Sequence, residues 1–183
     1  LFAKPNAATL LRAELAARGY RCEPIALGAN TDPYQPIERE WKITRSVLEV
    51  LAECEHPLTI TTKGVLIERD LDLLAPMAAK GLVRVFVSIA MLDRELARKL
   101  DPRAPAPHRR LQIIKALSAA GVPVGVNVAP VIPQLKTYMQ AIGGLTKKKS
   151  LSEIVALPPS PRAALAGSLP GAGSLSAIWE LAV

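Results

Sequence analysis

Four short runs of aliphatic and β-branched residues, at 25–29, 58–62, 83–89 and 122–132, each run out into polar or turn-forming residues, and segments with helical apolar spacing separate them. Their starts lie about 25–40 residues apart, which is the interval that a strand–helix–strand crossover requires. A hairpin-built sheet would need much shorter connections between strands. The pattern therefore predicts an α/β fold: a parallel sheet or a partial (βα) barrel of parallel strands, with its polar strand ends on one edge.

The intervening segments support this. Residues 8–18 place Leu10, Leu11, Leu15 and Ala16 on one stripe, with Gly19 as a stop signal. A helix beginning near Ile37 keeps Trp41, Thr44, Leu48 and Leu51 on one face as far as Cys54, where His56-Pro57 ends it. Residues 69–79 read as a helix kinked by Pro76 and closed by Gly81. Residues 93–99 form a short helix, DPRAPAPH an irregular loop, and 108–120 a helix with Leu111, Ile114 and Leu117 inward and Gly121 after it. Beyond Pro133 the periodicity fades, and residues 156–183 are rich in Ala, Leu, Pro, Ser and Gly. Two regions are expected: 1–133 as the folded βα unit and 134–183 as a divergent, poorly ordered or non-native tail.

Half of the 183 residues are hydrophobic, enough for one sizeable core, which excludes a wholly disordered chain. With two Trp, three Tyr and two Phe, that core must be built from Leu, Ile, Val and Ala, as buried parallel strands and their covering helices are. The net charge of +7 permits a polyanionic partner without identifying one. Arg109, Arg110 and Lys115 form one basic patch, read as a solvated helix face, and Lys147, Lys148 and Lys149 form another. Neither is interleaved with aromatics, so a stacking platform for single strands is not indicated. Cys22 and Cys54 read as reduced structural thiols, and with no secretory signal or membrane-length apolar run the expected setting is cytoplasmic. His56 stands near Cys54, but too few ligands surround it for a metal site. The chain opens on Leu1, and is read as a fragment.

Parallel α/β folds place ligands at the carboxyl ends of their strands. Those ends carry Asn30, Thr31 and Asp32; Thr62 and Lys63; Ser88, with Asp93 beyond; and Asn127, Pro130 and Pro133. Each of these could singly be a cap or a turn residue. Four polar ends in succession above apolar strands point instead to a ligand edge.

The stretches NTDPYQPIE, TRSVLEVL, HPLTITTK, RDLDLLAP, VFVSIAMLDRELARKLDPRAPAPHRRL and AGVPVGVNVAPVIP resemble, in order and spacing, the middle of radical S-adenosylmethionine proteins of the spore photoproduct lyase-like group. The resemblance covers residues 2–133. It implies a partial βα barrel that holds a [4Fe-4S] cluster and S-adenosylmethionine, cleaves the latter reductively, and uses the 5′-deoxyadenosyl radical to abstract hydrogen from a substrate. By position it implies that Asn30 and Thr31 meet the methionine end of the cofactor. It likewise implies that Lys63 and Ser88 contact the cofactor's carboxylate, and that Asn127 with Pro130 lines the adenine side. The lyase the group is named for acts on a thymine lesion in DNA, so DNA is an implied partner.

The sequence departs from that pattern in two ways. The family's CxxxCxxC-type loop is absent, so the chain is expected to bind no cluster and to be inactive by itself. After Ile132 the family's further βα units do not follow, which a shifted reading frame or a chimeric gene would explain. Asp101 and Arg103 lie in an acidic-x-Arg-Ala loop without an assignable role, and Arg103 could pair with Asp101 or Asp93. Two other function classes remain open on the residues alone. One is a Schiff-base aldolase using Lys63, and the other a non-catalytic, basic nucleic-acid-binding module.

Overall fold

A computed structural model describes residues 3–128. The elements run α1 (Ala7–Leu15), β1 (Ile25–Leu27), α2 (Glu38–Trp41), α3 (Ile43–Glu53) and β2 (Leu58–Thr62). A 3-10 turn (Val65–Asp70) then leads into α4 (Leu71–Ala79), followed by β3 (Val83–Ser88), α5 (Arg94–Leu100), α6 (Pro107–Ala119) and β4 (Val124–Asn127). The four strands form one sheet in the order β1-β2-β3-β4, and every pairing is parallel. Strictly sequential order distinguishes a barrel segment from a doubly wound sheet, whose order reverses at a switch point.

Register explains which residues the strands bury. Ile25, Leu58 and Val83 lie side by side, as do Leu27, Ile60, Val85 and Val124. All of these except the partly buried Val124 belong to a continuous core shared with Leu11, Leu48, Leu51, Leu74, Ile113, Ile114 and Leu117 of the helices. The alternate residues point to the opposite face. Ala26 there pairs with Thr59 and Arg84, and Thr61 with Phe86 and Gly125. One face is thus aliphatic and helix-covered, while the other is mixed in size and polarity. Burying about ten aliphatic strand side chains at roughly 1.5–3 kcal/mol each supplies most of the drive for this layering.

Several boundaries differ from those the sequence predicts. The first strand ends at Leu27 and not at residue 29, because Gly28 turns the chain at φ +84°. A Cβ at Gly28 would stand 2.0 Å from the Thr61 carbonyl, so β1 and β2 approach here in a way only glycine allows. The single helix expected from Ile37 to Cys54 is two, because Lys42 adopts a left-handed conformation (φ 49°) between α2 and α3. The helix expected over 69–79 starts at Leu71, after a 3-10 turn, and runs through Pro76 as the sequence predicts. The fourth strand covers 124–127, whereas the sequence places it at 122–132. Its last residues, Pro130 and the 134–183 region lie outside the described residues.

Candidate functional site

The polar strand ends do gather on one edge. Ser88 pairs with Asn127 across β3 and β4. Since Thr62 pairs with Val87, one further step of the same register sets Lys63 beside Ser88. Lys63, Ser88 and Asn127 thus form a row on the barrel-inner face, directly above the row of Thr61, Phe86 and Gly125. Lys63 and Asn127 are exposed and Ser88 is half-buried. Asn30, exposed, and Thr31, half-buried, belong to the loop that leaves β1. The row joins three of the six predicted site residues. Asn30 and Thr31 approach the same edge from the loop, and Pro130 lies outside the described residues.

Asp32, beside them in sequence, is the residue that fixes this edge. Its carboxylate accepts the Tyr34 amide at 2.9 Å, the Thr62 hydroxyl at 2.6 Å and the Lys63 amide at 2.7 Å. The Thr62 oxygen in turn accepts the Gly64 amide at 2.8 Å. One carboxylate therefore welds the loop after β1 to the end of β2. A Cβ at Gly64 would lie 2.5 Å from the Tyr34 Cβ, so the two loops pack backbone against side chain.

The remainder of the NTDPYQPIE stretch is structural too. Tyr34 is buried, and its hydroxyl has no partner in hydrogen-bond geometry. Burial, followed by the charge of Asp70, raises its pKa well above the ordinary phenol value. Glu38 is buried and caps α3 from four residues before Lys42, accepting the amides of Thr44 at 2.9 Å and Arg45 at 3.2 Å. Arg69 grips the Glu38 carboxylate at 2.8 Å and the fully buried Asp70 at 2.8 Å, and Arg45 reaches Asp70 at 3.0 Å. Hydrogen bonds to Asp70 and Glu38 hold the Arg69 guanidinium protonated against the opposing effect of burial. Thr44 donates to the Pro33 carbonyl at 2.5 Å. The loop is held at both ends by carboxylates: Asp32 accepts the Tyr34 amide, Glu38 the amides that open α3, and Asp70 neutralises the arginine that grips Glu38.

Above the edge sits α5, of which only Ala97 is buried. Asp93 caps it, accepting the Leu96 amide at 2.8 Å. Asp101 follows its last turn and pairs with the Lys63 ammonium at 2.6 Å. Lys63 is therefore a paired cation at the ligand edge, and Asp101 is bound to it and not to Arg103. Arg110 of α6 is buried, contrary to its reading as part of a solvated face. It donates to the Ser88 carbonyl at 2.9 Å and the Pro105 carbonyl at 2.8 Å, and stands 3.9 Å from Asp101. Burial lowers its pKa, while Asp101 and Asp32 oppose that. The sequence signal for Arg110 was its spacing, three residues before Ile113 and four before Ile114 of the inward stripe. Arg109 is the solvent-side member of the pair and bridges to Glu68.

Cys22 and Cys54, read as reduced structural thiols, are both free and both exposed. His56 is buried, its Nδ1–H donating to the Pro57 carbonyl at 3.0 Å and its Nε2 accepting the Tyr20 hydroxyl. Burial lowers its pKa and, with smaller charge effects, pushes that of Tyr20 up to about 12. No described helix is long and apolar enough to cross a membrane.

A sequentially ordered, four-stranded parallel sheet with flanking helices and a polar carboxyl edge is the arrangement of a partial βα barrel. The sequence profile of the Radical SAM superfamily matches residues 6–137, and the chain belongs to that superfamily. Among curated proteins, an uncharacterized protein of Mycobacterium tuberculosis is 46% identical over 132 residues, covering 72% of this chain and 39% of its own length. An uncharacterized protein of Acidianus two-tailed virus is 36% identical over 112 residues, 61% of this chain and 36% of its own. One of Methanocaldococcus jannaschii is 29% identical over 119 residues, 65% of this chain and 44% of its own. The chain thus spans less than half the length of these relatives. No solved structure matches it.

Membership implies S-adenosylmethionine and a [4Fe-4S] cluster for the parent protein. The described residues do not fit a cluster: the two cysteines are exposed and distant in sequence, and no three His, Cys, Asp or Glu side chains converge to hold a metal ion. They do suit the organic cofactor in kind, since a cation beside a hydroxyl and an amide matches a zwitterionic amino-acid moiety.

Proposed function

We propose that this chain forms the S-adenosylmethionine-facing edge of a radical S-adenosylmethionine enzyme. In this reading Lys63 and Ser88 hold the cofactor's carboxylate, Asn30 and Thr31 its methionine end, and Asn127 with Pro130 the adenine side. The observation that carries it is the pairing of Ser88 with Asn127 at the carboxyl ends of β3 and β4, with Lys63 following the Thr62 that pairs with Val87 and its ammonium held by a carboxylate at 2.6 Å. In the parent protein, a one-electron reductant, the [4Fe-4S] cluster that membership implies, would cleave bound S-adenosylmethionine to methionine and a 5′-deoxyadenosyl radical able to abstract hydrogen from a substrate. This chain's own residues bind and orient: Lys63 supplies charge, Ser88 and Asn127 supply directional hydrogen bonds, and Asp32 fixes the backbone from which Lys63 projects. The same pairing weighs against a Schiff-base role, since an aldolase lysine must lose its proton to attack a carbonyl. For the parent protein, the motif resemblance carries the finer proposal of a spore photoproduct lyase-like reaction on DNA in the cytoplasm.

Titrating the isotopically labelled chain with S-adenosylmethionine and following amide resonances tests the site. Shifts gathered at residues 28–32, 62–64, 88–91 and 127 are expected. Their absence at Lys63, Ser88 and Asn127 under saturating ligand would overturn the assignment.

A further inference from the structure

Asp101 occupies a position that helix electrostatics disfavours. It follows the last turn of α5, where the carbonyl end of the helix carries partial negative charge and a carboxylate is repelled. Two cations compensate. The Lys63 ammonium lies at 2.6 Å and the buried Arg110 guanidinium at 3.9 Å, both on the same oxygen, Oδ2. Arg110 otherwise bonds only neutral carbonyls, those of Ser88 and Pro105, so Asp101 is the carboxylate closest to its charge among its described partners. The carboxylate is therefore in contact with one cation and within a small side-chain movement of another. The first is exposed and on the ligand edge, while the second is buried behind it.

We propose that Asp101 is an internal counter-anion of the ligand edge. It occupies the Lys63 ammonium until a ligand carboxylate arrives, then passes to Arg110. This rests on the assignment of Lys63 to the cofactor's carboxylate. The exchange keeps both cations neutralised in either state, so no bare charge is left at the edge when it is empty. It also makes Asp101 a determinant of charge selectivity. A ligand must bring its own anion to displace the aspartate, and one lacking a carboxylate leaves the pair intact. The proline-punctuated loop from 101 to 107 suits this role. It is anchored at Pro105 by Arg110 and at Asp101 by the hydrogen bond that its backbone N–H donates to the Ala97 carbonyl, so the side chain can turn between partners while the backbone stays held.

The test compares Asp101→Asn, Lys63→Met and the double variant with the native chain, using S-adenosylmethionine and its decarboxylated analogue as probes at low ionic strength. Asparagine is well tolerated at a helix C-terminus, so Asp101→Asn should fold normally. Removing a competing exposed ion pair should tighten S-adenosylmethionine binding about twofold to fivefold. The same substitution should leave the decarboxylated analogue unchanged, and the gain should vanish in the double variant. In the native chain the Arg110 side-chain resonance should shift on addition of S-adenosylmethionine and stay still with the analogue. If Lys63→Met weakens S-adenosylmethionine selectively but Asp101→Asn does not tighten it, the counter-anion role is refuted while the site assignment stands. If Lys63→Met has no selective effect, or the Asp101→Asn chain binds no S-adenosylmethionine, both fall.

Discussion

Replacing Asp32 by alanine should loosen the ligand edge and cost about 2–4 kcal/mol of stability. The side chain accepts three hydrogen bonds, from the Tyr34 amide, the Thr62 hydroxyl and the Lys63 amide. Bonds to a charged acceptor contribute roughly 1.5–3 kcal/mol each where the donors would otherwise stay dry. The three are not equal here. The Lys63 amide is exposed and water can replace the aspartate, so it contributes least. The Tyr34 and Thr62 donors are partly buried and lose more. Asp32→Asn sharpens the argument. The amide oxygen can still take Tyr34 and Thr62, but its NH2 would face the Lys63 N–H, donor against donor, so a cost of about 1–2 kcal/mol is expected. Urea unfolding gives the free energies, and a loss near 3 kcal/mol should lower Tm by about 6–12 °C in a chain of this size. Amide shifts in both variants should centre on residues 30–34 and 61–64. An Asp32→Ala variant within about 0.5 kcal/mol of the native chain, or an Asp32→Asn variant that is the worse of the two, would refute the idea that this carboxylate welds β1 to β2.

Glu38→Ala removes the cap of α3 and leaves Arg69 and Asp70 unbalanced, so a loss of about 3–5 kcal/mol in urea unfolding is expected; a loss under 1 kcal/mol would contradict the buried network. Gly28→Ala combines a positive φ with a Cβ placed 2.0 Å from the Thr61 carbonyl, and should destabilise by about 2–4 kcal/mol or prevent folding; native-like stability would mean that β1 and β2 do not meet there. The folded-state pKa of His56 is lowered by burial, so the native state binds fewer protons than the unfolded chain. Its contribution is complete above the unfolded value near 6.5 and is lost as pH falls toward the folded value. The stability advantage of the native chain over His56→Gln should therefore shrink between pH 7.5 and pH 5.5, and a widening gap would reverse the sign. Borohydride reduction with small aldehydes and keto acids should trap nothing at Lys63; a covalent adduct lost in Lys63→Arg would restore the aldolase reading.

The sequence by itself determined the layer order of this protein. Alternating apolar runs and helical stripes at crossover spacing admit only parallel pairing, because period and connection length are local properties of the chain. The polar strand ends were legible for the same reason: each stands one to a few residues past an apolar run, and a parallel sheet brings such ends to one edge. What the sequence left undecided was what each polar side chain does on arrival. Lys42 breaks a helix whose apolar spacing runs straight through it, because the turn is set by Glu38 folding back onto the amides of α3. Asp32 stands among the polar strand ends as a ligand residue would, yet it and Glu38 lock the loop, because their partners at Thr62, Lys63 and Arg69 come from the next βα unit. Arg110 belongs to a basic patch in sequence and to the interior in space, since only the fold brings the carbonyls of Ser88 and Pro105 to its guanidinium. Hydrogen bonds and ion pairs between units depend on distances that no local pattern encodes, and it is those contacts that leave Lys63, Ser88 and Asn127 side by side at the edge and set Asp101 against the lysine.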